Sequence, residues 1–357
     1  MRVFFYISGH GFGHASRDIE LIRALTRRRP DLSVIVRTTV APWLFATAPA
    51  AVDVRPLETD TGLAQIDSLR LDEQASVAEA RRFYANFDQR VTQEAAELRA
   101  AGADLVLGDI PPLAFAAAKR AGIPSIAIGN FTWDWIYDAY PSFERDAPDV
   151  VPAIRKAYAQ AGRALRLPFH GGFAAMAAVT TDVPLIARRS LRDRADTRRR
   201  LGVTDNRPLV LTSFGAYGAA IPRDLLTRST SFTAVSFETH PPHGLSYQDV
   251  VAAADVVISK PGYGIVSECI ANDTTLVYTS RGRFAEYDVF VAEMPRVLRC
   301  RFLSQDDLLA GRWDEAIAAV LAQPDPPERW RVDGADVIAD AIMGASASPG
   351  AGWPLVG

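Results

Sequence analysis

The chain has 357 residues, which is enough for two domains of ordinary size. Its formal net charge is −3 at pH 7, so no overall attraction draws it to nucleic acid or to an anionic membrane. It has only two cysteines, which excludes a disulfide framework and a cysteine-based zinc site, and we expect no bound metal.

The first elements predict βαβ units around a parallel sheet. Val3–Ile7 is a short apolar run typical of a buried strand, and it is too short for the apolar core of a signal peptide. A glycine-rich turn and a helix over Ala15–Arg28 follow it. No stretch approaches the ~20 apolar residues of a membrane span, so we expect a cytoplasmic protein without a transmembrane segment, and peripheral attachment to a membrane stays open. The other elements predicted in this half are strands Ser33–Arg37, Val52–Val54, Asp104–Leu107, Ser125–Ile128 and Ala177–Thr181 and helices Gln74–Ala100, Leu113–Arg120 and Val151–Ala164.

The second half begins after an arginine-rich stretch that ends in Asn206-Arg207-Pro208 and is typical of a solvated helix and linker. We predict an N-terminal domain over residues 1–190, a C-terminal domain over 191–330, a helix over 331–344 that could pack back on the first domain, and a flexible tail over 345–357. Two such α/β domains form a cleft, and ligands bind at the carboxyl ends of the strands. The predicted strands are Leu209–Thr212, Thr233–Phe237, Val256–Ser259, Thr275–Tyr278 and Arg296–Cys300, and the helices are Tyr247–Ala253, Ile265–Ala271, Phe284–Glu293 and Trp313–Ala322.

The first candidate site is the glycine-rich turn Ser8–His14, which follows the first strand. Gly11 and Gly13 allow backbone N–H groups to approach a ligand at the positive end of the next helix. His14 and His10 are candidate general bases, because an unperturbed imidazole titrates near neutrality. The structural alternative is that either histidine only caps the helix or fills the turn.

The second candidate site is the turn Ser259–Glu268, in which a buried strand ends, glycines follow and a helix begins. Backbone amides at such a turn suit a diphosphate, and a carboxylate one helical turn later can accept both hydroxyls of a ribose. The alternative is an ordinary strand-to-helix turn with a solvated glutamate. A related turn, Thr212–Gly218, follows the first strand of the second half. The candidate ligand contacts are Ser213, Gly215, Ser259, Lys260, Gly262, Gly264 and Glu268.

Candidates for an acceptor site follow two strands of the first half. Asn130, Trp133 and Asp134 could bind sugar hydroxyls or stack on a sugar ring, or the aromatic residue could simply wedge helices together. Asp109 comes after a strand and before Pro111-Pro112, so it either acts as a base or caps the next helix.

The two glycine-rich turns together resemble those of the GT-B glycosyltransferases. The chain is similar to the bacterial peptidoglycan N-acetylglucosaminyltransferase group and to the glycosyltransferase-like N-terminal half of plant L-arabinokinase. The resemblance implies two Rossmann-like parallel-sheet domains that face a cleft. It implies that His14 aids acceptor activation, that Glu268 holds the donor ribose, and that Glu286 lies near the donor sugar.

The expected function is transfer of a sugar, with a UDP-sugar as the leading donor, to an acceptor that is a small molecule, a lipid-linked molecule or a glycan. No Asp-x-Asp motif is present, so we expect metal-independent transfer without a cofactor, and the resemblance implies inversion at the sugar. Two alternatives stay open at this point. One is a nucleotide-sugar 2-epimerase on the same fold, and the other is a catalytically inactive nucleotide-sugar-binding module.

Overall fold

The computed structural model forms two compact units, each built on a parallel sheet, and describes residues 1–49, 52–215, 221, 229–237 and 241–347. The first unit contains residues 1–64 and 72–186 and the chain from Asp333 onward. The second contains residues 65–71 and 187–332. The chain therefore leaves the first unit twice, once briefly and once for the whole second half.

The described secondary structure alternates between strands and helices. The strands are β1 (Arg2–Ile7), β2 (Ser33–Thr38), β3 (Val52–Pro56), β4 (Gln65–Asp67), β5 (Arg70–Leu71), β6 (Leu105–Asp109), β7 (Ser125–Gly129), β8 (Arg163–Arg166), β9 (Thr180–Asp182), β10 (Leu209–Thr212), β11 (Thr233–Ser236), β12 (Val256–Ser259), β13 (Thr275–Tyr278) and β14 (Cys300–Phe302). The α-helices are Phe12–Arg28, Glu73–Ala85, Phe87–Ala100, Pro112–Ala121, Trp133–Asp138, Pro141–Asp146, Val150–Tyr158, Arg194–Arg200, Tyr247–Ala253, Tyr263–Ala271, Ala285–Val297, Gln305–Ala310, Asp314–Leu321 and Gly334–Ala347, and short 3-10 helices span Pro42–Thr47 and Ala174–Val179.

The described strands of the first unit form a parallel sheet in the order β3-β2-β1-β6-β7-β8-β9. Val3, Phe4 and Phe5 on β1 are fully buried, so both faces of the central strand are covered, as the continuous apolar run predicts. The strand order reverses between β1 and β6, and loops that follow such neighbours diverge and leave a crevice at the carboxyl edge of the sheet.

Two helices of the first unit are shorter than the sequence predicts. The single helix predicted over Gln74–Ala100 is wrong, because Asn86 leaves the helical conformation (φ −113°, ψ 21°) and separates two helices. Asparagine side chains can hydrogen-bond to nearby backbone groups in non-helical conformations, which lowers the free-energy cost of interrupting the helix there. The helix predicted over Val151–Ala164 ends at Tyr158, since the following residues enter β8.

The helix Gly334–Ala347 packs against the first helix of the chain. Its Ile338 and Ala339 side chains are buried, and Arg28 donates from Nε to Asp340 at 2.6 Å and from Nη1 to Asp336 at 2.8 Å. The helix extends over residues 345–347, the first three of the predicted flexible tail. The rest of the predicted tail, 348–357, lies outside the described residues.

The second sheet has the order β11-β10-β12-β13-β14, again with parallel neighbours. The strand predicted over Arg296–Cys300 is wrong at its start, because the preceding helix continues to Val297. Phe290, Met294 and Val297 are buried at helical spacing and extend the apolar face of that helix by one turn. The strand begins only at Cys300.

A short hairpin, β4–β5, belongs to the second unit although it lies within the predicted N-terminal domain. Leu69 joins the buried cluster of Phe214, Phe232 and Trp313, and Ser68 Oγ donates to the carbonyl oxygen of Phe214. Seven residues supply too little periodicity for the sequence to reveal this packing.

Candidate functional site

The carboxyl edge of the first sheet gathers the turn after β1 and the end of β6. Ile7 and Asp109 are register partners, and the backbone N–H of Ser8 donates to the Asp109 carbonyl at 2.9 Å. The glycine-rich turn therefore starts beside Asp109, and the helix that follows the turn passes over that residue. The strand register alone brings two of the predicted catalytic residues, His14 and Asp109, into contact range.

The glycine-rich turn leaves room at the positive end of the first helix. Gly11 is the N-cap with φ 81°, a left-handed value that favours glycine, and no heavy atom lies within 4 Å of where its Cβ would be. Gly13 lies in the first turn of this helix, which has no side-chain cap. A Cβ at Gly9 would lie 2.0 Å from Thr39 Oγ1, so Gly9 is required by close packing.

His14 and Asp109 form a buried hydrogen-bonded pair. His14 Nδ1 lies 2.9 Å from Asp109 Oδ1, and the two side chains are 7% and 0% exposed. A carboxylate can only accept a hydrogen bond, so this contact is made when Nδ1 carries a proton, and Arg17 Nη2 lies 3.2 Å from the same nitrogen. This arrangement presents His14 as a base that is oriented by a carboxylate.

Arg17 holds the same carboxylate from the other side. Its Nε donates to Asp109 Oδ2 at 2.6 Å, and its Nη1 donates to Asn130 Oδ1 at 2.7 Å. Burial opposes ionisation of Asp109, but Arg17 and His14 outweigh it and hold the pKa of that carboxyl well below its usual range. An acid this strong is a poor base, so of the two residues His14 is the one equipped to take a proton.

Asp18 is a second carboxyl group beside Asp109. It is fully buried, and in the described part of the chain neither of its oxygens has a hydrogen-bond partner. Burial raises the pKa of Asp18 well above its usual value, and the negative charge of Asp109 raises it further. Both effects favour the neutral form of the Asp18 carboxyl group.

Asp60 is a third buried carboxyl group near His14. It accepts hydrogen bonds from Ser8 Oγ at 3.1 Å and from Trp133 Nε1 at 2.9 Å. Burial raises the pKa of Asp60 to about 6, although both hydrogen bonds and His14 act to lower it. A carboxyl group with this pKa can change protonation state near neutral pH.

His10, the other candidate base, faces the loop that contains Asp60. The backbone N–H of Leu63 donates to His10 Nδ1 at 3.4 Å, and the ring packs edge-on against Trp133 with centroids 5.5 Å apart. The role of His10 as a base stays a prediction.

The three predicted acceptor contacts are buried. Asn130 accepts from Arg17, Trp133 donates to Asp60, and Asp134 Oδ2 lies 3.3 Å from Arg155 Nε. Asn130 and Trp133 are fully buried and Asp134 is 4% exposed. These side chains shape the wall of the site, and their contact with an acceptor stays a prediction.

The carboxyl edge of the second sheet gathers the other two glycine-containing turns. The backbone N–H of Ser213 donates to Ile258 and that of Thr279 donates to Ser259, both at 3.0 Å. Gly215 has φ 68°, whereas Gly262 is extended (φ −170°), a conformation open to any residue. Both have open space where a Cβ would lie. Gly264 lies in the first turn of the helix that Gly262 caps, and its carbonyl accepts from Ser267 Oγ at 3.0 Å.

Glu268 lies in a polar cluster of the second unit. Arg188 Nε donates to Glu268 Oε1 at 2.6 Å, and the Arg188 guanidinium carbon lies 5.5 Å from the centre of the Tyr247 ring. The Tyr247 hydroxyl is hydrogen-bonded to Ser213 Oγ. Two predicted donor contacts, Ser213 and Glu268, are thus linked through two residues that the sequence analysis did not select.

Lys260 and Glu286 lie at the same edge of the second sheet as Arg281. Glu286 and Arg281 are 6% and 7% exposed, and both act electrostatically on Lys260. The loop after β13 therefore adds an arginine to the predicted lysine and glutamate.

Sequence reasoning missed six residues of these clusters: Arg17, Asp18, Asp60, Arg188, Tyr247 and Arg281. Arg17 and Asp18 follow His14 by three and four residues, so their helical spacing placed them on the same face and could have revealed them. The other four meet their partners only through the fold.

Neither a metal-binding group of side chains nor a membrane-spanning helix is found in the described ranges. No group of three or more His, Cys, Asp or Glu side chains is arranged to hold a metal ion there. No helix in that part of the chain is both long and apolar enough to cross a membrane.

By sequence, the chain is similar to a curated plant protein. The chain is 28% identical over 331 residues to L-arabinokinase of Arabidopsis thaliana. The match covers 87% of this chain but only 31% of that protein, so the chain spans about a third of its relative. No family model matches the chain.

Comparison with solved structures establishes the fold. The calicheamicin glycosyltransferase CalG4 superposes with a TM-score of 0.65 at 16% identity, covering 98% of this chain and all of that one. A protein assigned as a UDP-N-acetylglucosamine 2-epimerase, from Listeria monocytogenes, superposes with a TM-score of 0.57 at 11% identity over 99% of this chain and 98% of its own. The predicted GT-B fold is thereby confirmed.

Asp18→Asn should stabilise the protein in a pH-dependent way. The raised pKa of Asp18 favours the folded chain at low pH, and that advantage is lost as pH rises, because the unfolded chain ionises first. Asparagine keeps the shape of the side chain and does not ionise. We expect a higher melting temperature than wild type at pH 7–8, by roughly 2–4 °C per kcal/mol, and a smaller difference at pH 4.

Asp18→Ala is the control for this prediction, since it also cannot ionise but removes the polar side-chain atoms and the volume that asparagine keeps. It should melt below the asparagine variant at every pH. A difference between Asp18→Asn and wild type that does not change with pH would show that Asp18 is not held protonated.

Proposed function

Because the chain has the fold of the GT-B glycosyltransferases, we propose that it moves a sugar from a nucleotide diphosphate sugar, with a UDP-sugar as the leading donor, to an acceptor hydroxyl. The acceptor is a small molecule, a lipid-linked molecule or a glycan. The observation that carries the proposal is the buried His14–Asp109 pair beside the open glycine turn. Such a pair provides the base that acceptor activation requires.

In the proposed reaction, His14 Nε2 takes the proton of the acceptor hydroxyl as its oxygen attacks the anomeric carbon. The bond from that carbon to the diphosphate breaks, and its electron pair leaves with the diphosphate. Asp109, kept ionised by Arg17, stabilises the imidazolium that forms. A single displacement of this kind inverts the configuration at the sugar.

The proposed donor contacts lie in the second unit. Backbone N–H groups of the turns at Gly215 and at Gly262–Gly264 face the diphosphate, and Glu268 binds the ribose hydroxyls. Glu286 contributes to the sugar site. This set of groups supports metal-independent transfer, because amides and helix dipoles can stabilise the departing diphosphate.

A nucleotide-sugar 2-epimerase is the second candidate, and two observations favour it. The fold is shared with the protein from Listeria monocytogenes, and Asp60 offers a second titrating group near His14. Elimination and re-addition need an acid and a base but no acceptor. An epimerised nucleotide sugar formed without acceptor would favour this reaction, and donor binding with neither reaction would indicate an inactive binding module.

The first test of the proposal is a thermal-shift screen of UDP, dTDP, GDP and ADP and their sugar conjugates. A ligand at a hundred times its dissociation constant stabilises the folded chain by about 2.7 kcal/mol. We expect at least one diphosphate and its sugar conjugate to raise the melting temperature. The donor proposal fails if the whole panel leaves it unchanged.

Glu268→Ala should weaken binding of UDP by about 1.5–3 kcal/mol, the scale of hydrogen bonds to a charged group. Calorimetry with UDP and 2′-deoxy-UDP separates ribose recognition from other effects. Wild type should distinguish the two ligands and the variant should not. Arg188→Gln is the matched control, because it removes the partner of Glu268 and keeps the carboxylate. If Arg188→Gln weakens UDP binding as much as Glu268→Ala does, the ribose assignment is wrong.

His14→Ala should lower turnover by ~10²–10⁴-fold, the usual contribution of a general base, while donor affinity changes little. His14→Asn should not restore the rate, because an amide cannot take the proton. His170→Ala replaces an exposed histidine of the same unit and should behave as wild type. A product assay once a donor and acceptor are known, or slow donor hydrolysis before that, measures the effect. Full turnover in His14→Ala would remove the proposed base.

A further inference from the structure

The hairpin β4–β5 has a tip that is held in shape by its own side chains. The two strands pair antiparallel, and Asp67 ends the first of them. One carboxylate oxygen of Asp67 accepts from the backbone N–H of Leu69 at 2.8 Å, and the other accepts from Arg70 Nε at 2.8 Å. An aspartate that accepts from the backbone two residues later fixes a turn. Ser68 and Leu69 are therefore presented at the tip in a defined orientation.

The tip is buried in the second unit, at the carboxyl edge of its sheet. Both Ser68 and Leu69 are buried, and Leu69 joins the apolar cluster that contains Phe214, which follows β10. The carbonyl oxygen of Leu69 lies 3.4 Å from where a Cβ of Gly282 would be, in the loop after β13. The hairpin therefore adds to the edge that carries the predicted donor contacts, although the chain enters and leaves it from the first unit.

The backbone that leads to Phe214 is tied to the neighbouring strand. The N–H of Ser213 donates to the Ile258 carbonyl at 3.0 Å, and the Ser213 carbonyl accepts from Ser259 Oγ at 2.5 Å. These two bonds fix the peptide groups on both sides of Ser213. The next peptide group joins Phe214 to Gly215, and its carbonyl bonds to the hairpin instead of to the sheet.

Ser68 makes that bond. Its hydroxyl donates to the carbonyl oxygen of Phe214. In a trans peptide the carbonyl and the N–H point to opposite sides, so a fixed Phe214 carbonyl also fixes the N–H of Gly215. Gly215 is exposed, and no heavy atom of the described residues lies within 4 Å of where its Cβ would be. The bond therefore directs the Gly215 N–H away from the buried tip of the hairpin.

A glycine at this place makes the orientation of the peptide group easy to reverse. Gly215 has φ 68°, and glycine adopts negative φ about as readily as positive φ. Joint rotation about ψ of Phe214 and φ of Gly215 turns the peptide group over and puts the carbonyl where the N–H was. This reversal breaks the bond to Ser68 and leaves a buried hydroxyl to find another partner, which costs free energy. Ser68 therefore stabilises one of the two orientations.

From these contacts we propose that Ser68 is a positioning residue for the donor, because it holds the Phe214–Gly215 peptide group with the Gly215 N–H directed at the diphosphate. The identity of the ligand rests on the proposed function. In the reversed orientation a carbonyl oxygen faces the diphosphate oxygens and repels them, whereas the N–H attracts them. A hairpin that interrupts the sequence of the first unit thus completes the donor edge of the second.

The experiment compares UDP with uridine, which lacks the diphosphate, by calorimetry. Ser68→Ala should weaken binding of UDP by ~10–100-fold, the effect of losing a hydrogen bond to a charged group, and should leave the affinity for uridine unchanged. Ser142→Ala is the matched control, because it removes another buried serine hydroxyl, which donates to Glu73 in the first unit. It should bind both ligands as wild type does.

Ser68→Cys covers the case in which the alanine variant does not fold. A thiol fills similar space and is a weaker donor than a hydroxyl, so this variant should bind UDP more weakly than wild type and uridine equally well. A folded Ser68 variant that binds UDP as tightly as wild type overturns the proposal. Equal losses of affinity for UDP and uridine overturn it too, because they show a general structural role.

A measurement without ligand separates this proposal from the proposed function. The NMR shifts of the Phe214 carbonyl carbon and the Gly215 amide nitrogen report the orientation of the peptide group, and both should change in Ser68→Ala. Unchanged shifts overturn the role of Ser68, whether or not a nucleotide binds. If UDP binds wild type and Ser68→Ala alike, this proposal fails and the proposed function stands. If the shifts change but no nucleotide of the thermal-shift panel binds wild type, the proposed function fails and the hold of Ser68 on the peptide group stands.

Discussion

Asp109 carries a negative charge at a position from which water is excluded, and the arrangement of the first unit's site depends on how that charge is compensated. Arg17 and His14 supply the compensation from one helix, which fixes that helix over the end of β6. Removing one partner of a buried charge pair commonly costs about 3–5 kcal/mol, so these contacts bind the helix and the sheet together as well as preparing a base. Asp18 lies buried beside the same charge, and burial together with Asp109 raises the pKa of its carboxyl group, which favours its neutral form.

The two units prepare their sites by different means. In the first, buried side chains form one connected polar network that includes His14. In the second, the groups that suit a diphosphate are a helix end and glycine turns, while the Arg188–Glu268 pair lies in a cluster with Tyr247. Proton transfer needs exact orientation of one atom, whereas a dispersed anionic charge is stabilised by several donors around it.

The same fold serves reactions that differ in what the site does with a nucleotide sugar. Superposition at 11–16% identity establishes the architecture, and the chemistry must come from the side chains. Asp60 is the residue on which the choice depends here, because a carboxyl group that titrates near neutrality beside a histidine could complete an acid–base pair for epimerisation. In a transferase the same residue would position Trp133 and Ser8 at the wall of the site.

The alternation of apolar runs and helical stretches was sufficient to predict the two parallel sheets, and β12, β13 and the helix Tyr247–Ala253 have the predicted bounds. Local chemistry also identified Asp109 and Lys260 as polar residues at strand ends, and His14 and Glu268 as polar residues of the helices that follow glycine turns. The sequence could not show that the hairpin at 65–71 packs in the second unit, nor that Arg17 binds a residue 92 positions away. Pattern and turn chemistry depend on neighbours within a few residues, whereas the partners of a buried charge are chosen by which strands lie side by side, and only the tertiary structure decides that.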